Sequence, residues 1–268
     1  MFTGIIKEIG KITKIEESSN GKIIAIQAPV LTKDLKVGDS ISVNGCCLTV
    51  KKFASDCFFA DISFTTLKST TFKNIKVNDF VNLEDSIKLT DKLGGHFVTG
   101  HIDDIGSLVK IEKLGNFYSL IVKVEKNILK FIAPKGSIAV DGISLTVVNT
   151  YEDLSLNSSL DSNFNKDSGY FSITVIPHTF ENTTLKYKKI NSLLNIEVDI
   201  LARYVENLLN FTNKNITKAN NNNNYNNNYN EDNNDDNHNN KLNKDNRLIN
   251  NNDKILEDKL KKYGFIKW

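Results

Sequence analysis

The chain has 268 residues, a formal net charge of +2 at pH 7, and 40% hydrophobic against 25% charged residues. Its length suits one large domain or two small ones. Because the net charge is so close to zero, there is no basic field to attract a phosphate backbone, and no nucleic-acid partner is expected. The three cysteines, Cys46, Cys47 and Cys57, cannot all pair and two of them are adjacent, which excludes the disulfide framework of a small secreted protein.

The first residues carry no targeting signal. MFTGIIKEIGKITKIEE contains neither the apolar run of a signal peptide nor an Arg- and Ser-rich presequence. No apolar stretch approaches the ~20 residues needed to cross a bilayer. The sequence therefore predicts a cytoplasmic protein with no membrane segment.

One unit occurs twice in the sequence. VGDSISVNGCCLTV at 37–50 returns as PKGSIAVDGISLTV at 134–147, and KVNDFVNLE returns as KINSLLNIE. Because the similar blocks follow one another in the same order, we interpret the chain as a tandem duplication with units at 1–96 and 97–200. The spacing between the copies increases across 153–169, a Ser-, Asn- and Asp-rich segment that we interpret as a lengthened surface loop.

Each unit is rich in short β-strand patterns. The Asn-Gly pair in ISVNGCCLTV and the Asp-Gly pair in SIAVDGISLTV are strong signals for a tight hairpin turn. FVNLEDSIKL and LLNIEVDIL alternate apolar and polar residues as half-buried strands do. Several short strands with turns between them indicate a closed barrel, so the two units predict an all-β fold with two barrels in tandem.

The chain after the second unit divides into a helix and a tail. In 201–211, apolar residues recur at helical spacing: Leu201, Tyr204, Val205, Leu208 and Leu209. We expect an assembly helix, because no apolar element follows on which this stripe could pack. Residues 212–268 are dominated by Asn and cannot bury enough apolar area to offset the entropy of ordering them, so a disordered Asn-rich tail is predicted.

Taken together, the motifs resemble one known family. MFTGII, NGCCLTV, GGHFVTGHID, KGSIAVDGISLTV and NIEVD occur in this order, with a Thr-Thr block in each repeat, and the set is similar to the riboflavin synthases over about residues 1–210. This resemblance implies two six-stranded Greek-key barrels, a C-terminal helix, a homotrimer, and an active site between subunits. It also implies the dismutation of two molecules of 6,7-dimethyl-8-ribityllumazine per site into riboflavin and 5-amino-6-ribitylaminouracil, with no metal or organic cofactor.

The reaction that the resemblance implies suits a duplicated unit. It begins when a proton leaves the C7 methyl group of one lumazine and a nucleophile adds to C7 of the other. The protein must therefore position two like molecules and supply proton-transfer groups. Two copies of one binding unit are a direct way to hold two copies of one molecule.

The resemblance assigns substrate contacts to three stretches in each unit. In the first unit they are Gly4, Ile5, Ile6, Cys47, Leu48, Thr49, Asp61, Ile62, Ser63, Phe64, Thr65 and Thr66. In the second they are Gly100, His101, Ile102, Ser144, Leu145, Thr146, Ile176, Pro177, His178, Thr179, Phe180 and Glu181. Lys135 is expected to reach across the subunit boundary. Backbone groups beside glycine can approach the pyrimidine edge closely, and the hydroxyl groups suit the ribityl chain.

Two of the candidates for catalysis, Cys47 and Ser144, occupy the same position of the two repeats. The alternative for this position is a small buried residue beside a turn. Its neighbour Cys46 aligns with the apolar Ile143 and is predicted to be part of the core. His101 stands where the first repeat has Ile5, and it is either a proton-transfer group or a satisfied structural histidine.

The two other candidates for catalysis are Phe2 and Asp199. Phe2 is expected to cover the site, because the N-terminus repeats an internal strand and must therefore be ordered. Asp199 has Ser86 as its repeat partner, whereas Glu197 has Glu84. A shared structural role therefore suits the two glutamates, and Asp199 is the better functional candidate.

Two residues depart from the family pattern. Thr65 and His178, within the stretches 61–66 and 176–181, each stand where the family often carries Glu. A non-catalytic lumazine- or flavin-binding protein of the same fold is the alternative to an enzyme. Such proteins tend to keep one binding repeat and let the other diverge, and both repeats here keep their motifs, which favours the enzyme.

Overall fold

The computed structural model describes residues 1–152 and 167–212. Met1–Asn210 form one compact unit that contains both repeats, and of a second unit, Phe211–Trp268, the structure describes only Phe211 and Thr212. Most of the predicted loop at 153–169 and nearly all of the predicted tail at 212–268 lie outside the described residues. Within the described ranges, no helix combines the length and apolar character needed to cross a bilayer.

The first repeat forms a closed antiparallel barrel of six strands. They are β1 (Glu8–Ser18), β2 (Gly21–Gln27), β3 (Ser40–Val43), β4 (Cys46–Ala54), β5 (Cys57–Ser63) and β6 (Phe80–Asp85). The order around the barrel is β1-β2-β5-β4-β3-β6. Three consecutive hairpin strands, β3 to β5, are followed by β6, which returns to lie beside β3, and this arrangement is a Greek key.

The second repeat builds the same barrel again. Its strands are β7 (Asp104–Leu114), β8 (Phe117–Glu125), β9 (Ser137–Val140), β10 (Ile143–Tyr151), β11 (Ser168–Val175) and β12 (Leu193–Val198). Their cyclic order, β7-β8-β11-β10-β9-β12, is that of the first barrel. Each barrel encloses its own apolar core, because alternate strand residues point inward. The prediction of two six-stranded Greek-key barrels is confirmed.

One end of the β4–β5 pair is where the site residues lie. Strands β4 and β5 pair from Ala54 opposite Cys57 to Val50 opposite Ala60, with a bulge in between. The first residues of β4, from Cys46 to Thr49, pair with β3. A short helix, α1 (Phe64–Ser69), follows β5 and is capped by the Ser63 hydroxyl. The second barrel repeats this geometry with β10, β11 and the helix α2 (Pro177–Glu181).

The hairpin turns of the two NG and DG motifs lie back to back between the barrels. Asn44 and Asp141 adopt left-handed φ angles of 46° and 47°, as their turn type requires. A Cβ built on Gly45 would lie 2.7 Å from the backbone nitrogen of Gly142, so only glycine allows this approach. The buried Asp141 carboxylate also pairs with Lys188 at 2.6 Å.

Two fully buried amides join the barrels behind these turns. Asn82 donates from Nδ2 to the carbonyl oxygen of Asp141 (2.9 Å), and its Oδ1 accepts from the backbone N–H of Thr184 (2.7 Å). Asn195 makes the equivalent contact in the other direction, to the carbonyl oxygen of Asn44 (2.8 Å). Because each amide belongs to one barrel and satisfies backbone groups of the other, the network sets how the two barrels meet.

The chain continues from β12 into a helix, α3, at 200–212. Asp199 caps it, because its Oδ1 accepts from the backbone N–H of Leu201 at 3.0 Å. Arg203 pairs with Asp103, and Glu206 pairs with Lys130. The opposite side of the helix carries exposed apolar side chains: Leu201, Tyr204, Val205 and Leu209.

Candidate active site

The segments that open the two repeats pair with each other. The backbone N–H of Phe2 donates to the carbonyl oxygen of Val98 (2.7 Å), and the N–H of Val98 donates back to Phe2 (3.1 Å). These two residues are equivalent in the repeats and both are fully buried. Cys47 packs against the small apolar cluster that they form between the barrels.

Each opening segment then crosses to the barrel of the other repeat. The carbonyl oxygen of Gly4 accepts from the backbone N–H of Ser144 (2.8 Å), and that of Gly100 accepts from the N–H of Cys47 (2.9 Å). The approach is so close that a Cβ on Gly100 would lie 2.5 Å from the Cβ of Cys47. Every site is therefore built from both halves of the sequence.

This crossing divides the predicted contacts of each repeat between the two barrels. Ile6, predicted as a contact in the first unit, packs against the core of the second barrel. Ile102, predicted as a contact in the second unit, packs against the core of the first barrel. A repeat pattern reports which residues are equivalent, and it contains no information on whether equivalent segments exchange partners.

Two buried glutamates hold the crossing segments in place. Glu84 accepts from the N–H of Thr3 (2.7 Å), from its hydroxyl group (2.6 Å) and from the N–H of Gly4 (2.9 Å). Glu197 repeats the pattern with Thr99 and Gly100, at 2.6, 2.7 and 3.0 Å. Burial raises the pKa of both carboxyl groups above the usual value, against these hydrogen bonds, which lower it.

The first site lies at the end of β4 and β5. Cys47 is half-buried and Thr49 is exposed, while Leu48 between them points into the barrel core. Ile62 is likewise a core residue, and exposed side chains lie around it: Asp61, Ser63, Phe64 and Thr65. The half-buried Thr66 donates its backbone N–H to the Ser63 hydroxyl. The prediction that Cys46 belongs to the core is confirmed, and burial raises the pKa of its thiol to about 12.

His101 belongs to the second repeat and is the chain neighbour of a residue that contacts the first site. It directly follows Gly100, which contacts Cys47, and its exposed ring lines a cavity of about 680 Å³. Its Nδ1 lies 3.0 Å from the hydroxyl oxygen of Thr99. Met1, Phe97, Arg203 and Tyr204 contribute to the wall of the same cavity. The first site thus combines a half-buried thiol, exposed hydroxyl groups and an accessible imidazole.

The second site has the same plan with different side chains. Ser144 is half-buried, Thr146 is exposed, and Leu145 points into the core. Beside them, Phe180 is a core residue and Thr179 is half-buried, while the rest of the predicted stretch is exposed: Ile176, Pro177, His178 and Glu181. Ile5, the repeat partner of His101, is 46% exposed here. An apolar residue thus stands at the second site where the first site has an imidazole.

His96 is the site residue that the sequence reasoning missed. Its Nδ1 lies 2.7 Å from the Ser144 hydroxyl oxygen, and the side chain is buried. His96 lies in the GGHFVTGHID motif, but it precedes the first residue of the repeat comparison and so has no repeat partner. The signal that points to it in the sequence is the pair of histidines, His96 and His101, in one glycine-containing motif.

The burial of His96 favours the neutral form of its ring. Burial lowers the pKa of the imidazole below the usual value, and the nearby Asp199 carboxylate opposes this shift. Nε2 is buried without a hydrogen-bond partner among the described residues. A neutral imidazole at hydrogen-bond distance from a serine hydroxyl is the arrangement that activates serine as a nucleophile or proton relay.

The remaining candidates lie at distinct places. Phe2 is buried at the junction and contacts Cys47, whereas Asp199 caps α3 and acts on His96 through its charge. Lys135 is exposed and has a left-handed φ of 67°, where its repeat partner is Gly38. Among the residues that the structure describes, no three His, Cys, Asp or Glu side chains group as metal ligands.

Comparison with known proteins identifies the class of this two-barrel fold. The family model of the lumazine binding domain matches residues 3–86 and again 99–199. A solved structure of LumP complexed with 6,7-dimethyl-8-(1'-D-ribityl) lumazine covers 74% of this chain and 99% of its own, with a TM-score of 0.60 at 24% identity. This likeness shows a shared fold.

Curated sequences give the narrower relationship. A riboflavin synthase of Actinobacillus pleuropneumoniae is 40% identical over 209 residues, covering 78% of this chain and 90% of that protein. A riboflavin synthase of Bacillus subtilis (strain 168) is 34% identical over 218 residues, covering 81% and 94%. The chain belongs to the riboflavin synthase family, and the resemblance predicted from its motifs is confirmed.

Proposed function

We propose that this protein catalyses the dismutation of two 6,7-dimethyl-8-ribityllumazine molecules into riboflavin and 5-amino-6-ribitylaminouracil. One observation carries the proposal. Each chain holds two equivalent sites, and they differ in their proton-transfer groups. We assign His101, the residue after Gly100, to the first site, and His96 with Ser144, whose side chains lie 2.7 Å apart, to the second. Two copies of one substrate in two different roles need this combination of equivalence and difference.

The chemistry requires positioning and proton transfer. One lumazine loses a proton from its C7 methyl group, and the heteroaromatic ring holds the electron pair that remains. A nucleophile adds to C7 of the other lumazine, and a four-carbon unit then passes between the molecules. No net oxidation occurs, so groups that bind, orient and move protons are sufficient.

The residues of the two sites have different roles in the proposed reaction. Ser144, hydrogen-bonded to the neutral His96, is the candidate for nucleophilic addition or proton relay at the second site. Cys47 occupies the equivalent position of the first site, with His101 nearby as proton acceptor. The exposed hydroxyl groups of Thr49 and Thr146 suit the ribityl chains.

The active form is a homotrimer in which the first site of one subunit faces the second site of its neighbour. Exposed apolar residues at the sites support this arrangement, namely Ile5, Phe64, Phe97 and Ile176, at 46%, 55%, 44% and 50% exposure. The exposed stripe of α3 offers a second contact between subunits. Lys135 then contributes its ammonium group to the site of a neighbouring subunit.

The protein works in the cytoplasm. Its three cysteines are free, and two of them, Cys46 and Cys47, are neighbours that a reducing compartment keeps from oxidation. The half-buried thiol of Cys47 lies at the first site, so its reduced form is the one required there.

The decisive experiment supplies purified protein with the lumazine alone. We expect riboflavin and 5-amino-6-ribitylaminouracil in equal amounts, without added metal or cofactor, followed by riboflavin absorbance and chromatography. The double variant Ser144→Ala with Cys47→Ala serves as the control and should lose most of this activity. Tight lumazine binding with no riboflavin formed would instead identify a non-catalytic binding protein.

A further inference from the structure

Three polar groups form a chain from the protein interior to the first site. The buried Glu197 accepts from the hydroxyl group of Thr99, with 2.7 Å between Oε1 and Oγ1. The same hydroxyl oxygen lies 3.0 Å from Nδ1 of the exposed His101. The contacts are sequential, so the protonation of one group restricts that of the next.

The number of available hydrogens determines which group donates and which accepts in each of these hydrogen bonds. Both oxygens of Glu197 accept backbone N–H groups, from Thr99 and Gly100, and these bonds favour the ionised carboxylate against the burial that raises its pKa. An ionised carboxylate only accepts, so the single hydroxyl hydrogen of Thr99 points to Glu197. The Thr99 oxygen must then accept from His101, which places a hydrogen on Nδ1 and leaves Nε2 of the neutral ring as an acceptor.

The first repeat has no histidine at the end of the equivalent series of hydrogen bonds. Glu84 and the Thr3 hydroxyl form the same contact at 2.6 Å, but Ile5 stands where the second repeat has His101. The Thr3 oxygen accepts from the backbone N–H of Ile5 instead, at 3.3 Å. The hydroxyl–carboxylate pair therefore ends on backbone in one repeat and on a side chain that can take up a proton in the other.

We propose that Thr99, supported by Glu197, is a positioning residue that holds His101 as its Nδ1–H tautomer, so that Nε2 accepts the methyl proton at the first site. In that step the C–H bond of the C7 methyl group breaks, an N–H bond forms at Nε2, and the electron pair stays on the lumazine. Glu197 faces the resulting imidazolium through the Thr99 hydroxyl. The inference rests on the proposed function in one respect, because the proton comes from the lumazine of that reaction. The tautomer of His101 does not depend on the proposed function.

The tautomer can be read without substrate. In protein labelled with ¹⁵N at histidine, long-range ¹H–¹⁵N correlation spectra distinguish Nδ1–H from Nε2–H rings, and the His101→Gln variant identifies the His101 signals by their loss. We expect Nδ1–H in the wild-type chain and in Thr99→Ser, and a shift toward Nε2–H in Thr99→Val. Thr3→Val, which removes the equivalent hydroxyl from the other repeat, is the matched control and should leave the His101 tautomer as it is.

Kinetics separate positioning from folding. Thr99→Val should lower kcat about 10- to 100-fold with KM changed less than about three-fold, and Thr99→Ser should recover most of the loss. Nε2–H in the wild-type ring, or the same tautomer in Thr99→Val, would overturn the inference even if the enzyme is active. A wild-type chain with the Nδ1–H ring that forms no riboflavin would overturn the proposed function alone.

Discussion

Ser144 and Cys47 hold equivalent positions in the two repeats, yet their surroundings differ. The serine hydroxyl has a buried imidazole at 2.7 Å, whereas the cysteine packs against an apolar cluster and its backbone N–H donates to Gly100, the residue before the exposed His101. The difference arises from single residues: His96 has no repeat partner, and His101 replaces Ile5. A few residue differences between the repeats thus give the two copies of one binding unit different chemical groups.

The burial of His96 makes the stability of the protein depend on pH. The folded imidazole has a lowered pKa, so below about pH 6.5 the unfolded chain binds a proton that the folded chain resists. We expect wild-type protein to lose up to ~1.4 kcal/mol of unfolding free energy per pH unit below that point, relative to His96→Asn. Urea unfolding at pH 7.5 and 5.5 measures the difference.

The comparison with His96→Asn is needed because Glu84 and Glu197 act in the opposite sense. Their raised pKa values add stability as the pH falls, and this contribution is lost as the pH rises. It is common to both proteins and cancels in the difference between them. Equal pH slopes for wild type and variant would show that His96 is not held neutral.

Lys135 keeps a strained backbone where the other repeat uses glycine. A left-handed conformation costs a lysine roughly 1 kcal/mol, partly offset because glycine has more freedom in the unfolded chain. Lys135→Gly should therefore leave the unfolding free energy unchanged or raise it by up to ~1 kcal/mol, while lowering activity at least ten-fold. Thermal unfolding measures the predicted effect on stability, and the riboflavin assay measures the predicted effect on activity. Asn191→Gly, at another left-handed position, should retain full activity.

At the scale of elements, α3 carries the apolar stripe that we propose as a contact between subunits. It is tied to the second barrel by Arg203–Asp103 and Glu206–Lys130, so its orientation is defined within one chain. Its apolar stripe is nevertheless exposed, since Leu201, Tyr204, Val205 and Leu209 are each more than half exposed. A stripe that is held rigidly and left uncovered by its own barrel is suited to a contact between copies.

Charging this stripe should dissociate the proposed trimer. The double variant Leu201→Lys with Val205→Lys places two cations where side chains 60% and 56% exposed would be covered in the assembly. Light scattering coupled to size exclusion should report monomers, and activity should fall with them. Asn207→Lys with Asn210→Lys changes the charge equally on other sides of the helix and should remain trimeric. A chain that ends at Thr212 should also remain trimeric. If Leu201→Lys with Val205→Lys keeps the mass of the wild type, α3 is not part of the interface.

At the scale of the whole molecule, the sequence predicted the barrels well and their connection poorly. Strand alternation and the NG and DG turns are local signals, so they reported the repeats and the fold. That the same turns lie back to back, with Asn82 and Asn195 satisfying the opposite barrel, is a long-range property without a local pattern. The crossing of Gly4 and Gly100, and the pairing of His96 with Ser144, were missed for the same reason.

The crossing of the opening segments has a consequence for inheritance. Residues 3–6 complete the site of Ser144, and 99–102 complete the site of Cys47. Selection for either site therefore acts on both halves of the gene at once. As long as both sites are needed, neither copy is free to decay, because losing one would damage the chemistry encoded by the other.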